Sequence, residues 1–81
     1  MRIIGEIPHT EMRITLFYMN QKYLVKFELH GLEQTYKISE FDYLVSSVED
    51  IKKIVTEDFI KHVSSVFMFM QNHLNEALKD Y

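Results

Sequence analysis

Four histidines, two adjacent carboxylate pairs and the serine pair Ser64-Ser65 are the residues of this chain best equipped for chemistry. Neutral imidazole is a common metal ligand, but one ion needs its ligands on one side of it. His62 and His73 are eleven residues apart. On a helix that spacing gives nearly the same face but a separation of about 16 Å along the axis, too far for a shared ion. No HxxxH or HExxH spacing occurs. His30 stands before Gly31 and reads as a turn residue, while His9 follows Pro8 in a loop. No metal site is expected.

The carboxylate pairs are Glu49-Asp50 and Glu57-Asp58. Adjacent helical residues point in different directions, so neither pair forms an acid/base dyad. Both stand where a helix start favours negative charge. Ser64-Ser65 has no base nearby in the sequence, and there is no GxSxG, no cysteine and no Gly-rich phosphate loop. The chain is therefore expected to be neither an enzyme nor a cofactor carrier.

Two other groupings could bind a partner. Arg13, Phe17, Lys22, Lys26 and Lys37, with Leu24, fall on one face of an alternating stretch. Cations around an aromatic ring are the parts of a single-stranded nucleic-acid platform, with charge tracking phosphates and the ring stacking on a base. Glu28 and Glu33 interrupt that field, and solvated lysines also guard ordinary sheets against aggregation. The second grouping is the run Val66, Phe67, Met68, Phe69, which depends on helical phase.

The elements that would position these groups are legible from periodicity. Residues 11–38 alternate as strands do. A two-residue hairpin at Asn20-Gln21 pairs Tyr18 with Tyr23, Leu16 with Val25 and Ile14 with Phe27 on one face, and Arg13 with Glu28 on the other. A one-residue slip would turn the apolar set to water, so the register is well specified. His30-Gly31 marks a second turn. A two-residue loop there places Glu28 beside Glu33 and a four-residue loop places Lys26 beside Lys37; both keep Tyr36 and Ile38 on the apolar face. Residues 2–7 read as a further strand, ended by Pro8.

From Ser39 the period lengthens. Ser39 to Asp42 reads as a short helical turn, Ser46 with Glu49 as a capping box, and Thr56-Glu57-Asp58 as a further helix start. At about 100° per residue from Phe59, residues Ile60, Val63, Val66, Phe67, Met70, Leu74, Ala77 and Leu78 form one broad apolar face. Val48, Ile51 and Val55 are out of phase with it. A helix over about 47–55, a break near Val55-Thr56 and a helix over about 57–79 account for the slip. Phe27, Tyr36, Phe41 and Phe59 are expected in the core. Met68 and Phe69 fall on the polar side of the wheel, well away from Phe59. Large apolar side chains there imply a second contact, either within the chain or with another copy. Val66, Phe67, Met68 and Phe69 are accordingly the interface candidates, although Phe67 also belongs to the core-facing set.

The 81 residues suit one domain over 1–81, with 47% apolar and 26% charged residues. Residues 1–38 carry +1 and residues 39–81 carry −4, giving the net −3, which is not the basic bias of a nucleic-acid binder. The N-terminus lacks the apolar run of a signal peptide, no stretch could span a membrane, and the absence of cysteine suits a cytoplasmic setting. The expected architecture is α+β: an antiparallel meander of three or four strands over about 2–38, packed on one face by helices over about 47–79 in a two-layer sandwich. The expected function is a non-enzymatic interaction or structural module, a homodimer through the C-terminal helix with room for another protein partner. The alternative is single-stranded nucleic-acid binding on the lysine-bearing face.

Overall fold

The computed structural model describes residues 1–81. Strands β1 (Arg2–Ile7), β2 (Arg13–Met19), β3 (Lys22–Leu29) and β4 (Leu32–Ser39) form one antiparallel sheet in chain order. Helices α1 (Val48–Ile54) and α2 (Glu57–Leu78) follow and cover one face. The expected α+β meander is present with all four strands.

The β2–β3 hairpin has the register expected from its apolar pairs, running from Met19 opposite Lys22 to Arg13 opposite Glu28. Its loop residues Asn20 and Gln21 have φ of 50° and 59°, the left-handed pair that lets a two-residue turn match strand twist. The β3–β4 turn is also a two-residue loop, with His30 at 49° and Gly31 at 81°. Glu28 therefore does face Glu33. A diagonal neighbour relieves that repulsion: Lys26 Nζ lies 3.5 Å from Glu33 Oε1. Loop geometry and this diagonal pair outweigh one unfavourable direct pair.

Strand β1 carries a bulge. Ile3 faces Phe17 and Gly5 faces Leu16, leaving Ile4 as the extra residue. Ile4 joins the core margin while Ile3 is exposed on the other face. Gly5 then sits under α1, where an added Cβ would lie 3.7 Å from Val48 Cγ1.

Both helices start on side-chain caps. Ser47, not Ser46, caps α1: its Oγ accepts from Asp50 N–H at 3.3 Å. Asp50, not Glu49, reaches back, accepting from Ser46 N–H at 2.9 Å. The two frames are equally good capping motifs; the one adopted buries Ile51 and Val55. Thr56 caps α2 through Phe59 N–H, as its sequence suggests, and the break falls at Val55.

The core is formed by Ile14, Leu16, Tyr23, Val25 and Phe27 from the sheet, Ile51 and Val55 beside them, and Val63 and Phe67 from α2. Phe59 joins an aromatic cluster with Phe27 and Tyr36. Phe41 corrects the expectation: it is 81% exposed. The turn at Ser39, closed by Asp42 and Tyr43 N–H groups on its carbonyl, swings Phe41 outward before any helix can form.

Candidate interaction surface

A single buried polar lock sets the position of α2. Gln34 on β4 lies on the inner face, and its Nε2 donates to Val63 O at 2.9 Å. Its Oε1 accepts from Tyr36 O–H at 2.6 Å. With Phe59 against Phe27 and Tyr36, the lock seats the first half of α2 over β3 and β4. The helix has 22 residues and so runs about 33 Å, longer than the ~27 Å of an eight-residue strand. Its C-terminal turns pass beyond the sheet, and Leu74 and Leu78 are exposed although they continue the stripe of Val63, Phe67 and Met70.

The interface candidates separate. Phe67 is 2% exposed and packs inside the monomer, which corrects its place in the contact set; the core-facing phase wins. Val66, Met68 and Phe69 are exposed, at 43%, 68% and 72%. Met68 lies on one flank of α2, where with Ser64, Phe67 and Gln71 it borders a groove of about 300 Å³ lined also by Leu29 and Leu32. Farther back on that flank, Ile60 and Lys61 face Ile7 at the end of β1 and Pro8 and His9 of the β1–β2 connection. Phe69 is about 100° round the helix from Met68, with Val66 and His73 near it. That opposite flank faces away from the β1–β2 connection. The His73 ring stacks on Phe69 with centroids 6.3 Å apart.

Charge is missing from this segment. No Asp, Glu, Lys or Arg occurs between Lys61 and Glu76, a stretch of 14 residues on a helix that is largely exposed. Charge depletion with Phe and Met enrichment marks the centre of protein interfaces rather than ordinary surface.

The lysine-bearing sheet face is assembled as the alternation requires, but its field is locally neutralised. Arg13 lies 3.6 Å from Glu6 and Lys26 pairs with Glu33, leaving Lys22 and Lys37 outside the ion pairs of the fold. Phe17 is half-buried and Leu24 is buried between these side chains. The face therefore presents a partly covered ring between two unpaired lysines.

Several groups have structural roles. His9 Nδ1 accepts from the N–H groups of Glu11 and Met12, closing the β1–β2 connection. The four histidines do not gather with carboxylates into a group that could hold a metal ion. Tyr18 O–H donates to Glu40, and this bond, then burial, raises the Tyr18 pKa above its ordinary 10.0. Burial, then the Glu40 charge, raises that of Tyr23. The Ser46 backbone N–H holds the Asp50 carboxyl below its ordinary 3.8. None of these groups lines an enclosed site.

Two surface features escaped sequence reasoning. Tyr43 and Leu44 join Phe41 as exposed side chains in the β4–α1 connection; their lack of periodicity was the available signal. The helix overhang was signalled by length alone, since α2 has nearly three times as many residues as β3 or β4, more than the shorter rise per helical residue can offset. No helix is long and apolar enough to cross a membrane. The chain matches no family model, no curated protein and no solved structure, so fold and surface chemistry carry the functional reading.

Proposed function

We propose that this chain is a small non-enzymatic interaction module that self-associates through α2. The observation that carries the reading is the uncharged stretch from His62 to Asn75, in which Val66 and Phe69 are exposed on one flank of the helix. Val66 and Phe69 lie about 60° apart on that flank, and Leu74 and Leu78 add exposed apolar side chains where the core-facing stripe runs past the sheet. A second copy is the partner with the least to specify, because a two-fold axis applies one surface to itself. The lock at Gln34 suits this role, since it holds the helix in one position for docking.

Sedimentation or light scattering of the whole chain tests the reading. The expected mass is that of a dimer at micromolar concentration, and Phe69→Asp, which buries a charge in the contact, returns a folded monomer. A monomeric mass for the unaltered chain at high micromolar concentration overturns the proposal.

A further inference from the structure

We infer that the dimer is completed by the free edge of β4 pairing antiparallel with its own copy, Thr35 against Thr35, into a continuous eight-stranded sheet. This rests on the self-association reading and names the surface that fixes its geometry.

β4 is an edge strand of eight residues with no proline, glycine or bulge. Hydrogen bonding to β3 alternates along it. Leu29 and Leu32 close a two-residue hairpin and form a bonded pair, so Gln34, Tyr36 and Ile38 also bond to β3. The N–H and C=O groups of Glu33, Thr35 and Lys37 then point away from the sheet. A two-fold pairing must match these odd-numbered residues with one another. Centring it on Glu33 or Lys37 sets like charges together. Centring it on Gln34 or Tyr36 leaves both charges without a counter-charge. Centring it on Thr35 sets Glu33 opposite the second copy's Lys37, and Lys37 opposite its Glu33. Leu32 then meets Ile38 and Gln34 meets Tyr36 on the inner face. Of the five registers, only this one sets opposite charges together, and it adds the apolar pair of Leu32 with Ile38. Glu33, Thr35 and Lys37 are all exposed.

The helix fits the same axis. α2 sits over β3 and β4 through Gln34 and Phe59. With strands about 4.8 Å apart, a helix above the β3–β4 boundary lies roughly 5 Å from the two-fold axis. Two such helices run about 10 Å apart, a normal packing distance. Thr35 lies between Tyr36 and Gln34, so the axis passes beside the turn of α2 between Phe59 and Val63 and the two helices meet antiparallel along their first turns. Val66 and Phe69 lie about 8–12 Å farther along, past the start of the partner helix.

Charge exchange at the edge tests the inference. Glu33→Lys makes an all-lysine edge and Lys37→Glu an all-glutamate edge. Each variant alone should dimerise roughly tenfold or more weakly than the unaltered chain, and mixing the two should restore a dimer containing one of each, seen by native mass spectrometry. Thr35→Pro removes an N–H that points away from β3 and should give a monomer with unchanged far-UV circular dichroism. If the charge variants dimerise like the unaltered chain, or the mixture shows no preference for the mixed pair, the edge pairing is wrong. If only Phe69→Asp disrupts the dimer, the helix reading stands and this inference falls. If the unaltered chain is monomeric, both fall.

Discussion

Leucine in place of Gln34 removes the amide that joins sheet to helix while nearly keeping its volume. Two hydrogen bonds are lost, to Val63 O and from Tyr36 O–H. Val63 O retains the N–H of Phe67 within the helix. The Tyr36 hydroxyl keeps no partner in its half-buried place. At about 1 kcal/mol net for each bond, Gln34→Leu should cost about 2 kcal/mol. Tyr36→Phe, which removes one bond and orphans only an acceptor, should cost about 1 kcal/mol. The double variant leaves neither partner stranded. It should cost about 1.5 kcal/mol rather than the additive 3, a coupling of about 1.5 kcal/mol. Thermal unfolding measures this at about 4–8 °C per kcal/mol for a domain of this size. Protein concentration must be held fixed, because the proposed association would make the midpoint concentration-dependent. Additive single-variant shifts would refute the lock.

Other perturbations have expected outcomes of either sign. Gly5→Ala should stabilise by about 0.5–1 kcal/mol in thermal unfolding, since the added Cβ meets only ordinary contacts at 3.7 and 3.8 Å and the unfolded chain loses freedom. Gln21→Gly should also raise the midpoint, because it frees a side chain from φ of 59°, although the greater freedom of unfolded glycine limits the gain to about 1 kcal/mol. Phe67→Ala should cost about 3–5 kcal/mol in denaturant unfolding, whereas Phe69→Ala should leave monomer stability within about 0.5 kcal/mol and act on association. Folding lowers the Asp50 pKa, so its contribution is present above 3.8 and disappears as pH falls through the folded-state value; Asp50→Asn should reduce the loss of stability on acidification. Folding raises the pKa of Tyr18, so its contribution is present below 10.0 and disappears as pH rises through the folded-state value; Tyr18→Phe should flatten the alkaline unfolding limb followed by phenolate absorbance.

The fold was legible wherever side chains report their own environment. Alternation in β2 and β3 set their register because a slip would expose Leu16 and Val25, and the out-of-phase Ile51 and Val63 placed the break before Thr56. Features decided by competition were not legible. Glu28 and Glu33 repel in isolation, and only the twist of the sheet brings Lys26 onto Glu33. Ser46 and Ser47 offer the same cap, and only the packing of Ile51 separates them. Phe41 resembled a core aromatic because its type was visible and the direction of its turn was not. For the candidate surface, phase located Val66, Met68 and Phe69. It could not show that Met68 borders a groove beside Leu29 and Leu32, because that depends on which strand the helix lies above.

The bulge in β1 has a consequence at a larger scale than the monomer. A flat sheet with two bare sides can keep recruiting copies, and such growth ends in fibres. Here Ile4 kinks the first strand, and Pro8 follows directly at its end. That side makes a poor template for another chain, leaving β4 as the straight one. A particle that can be extended from one side only stops growing once that side is taken, so this small irregularity favours a closed pair over a polymer.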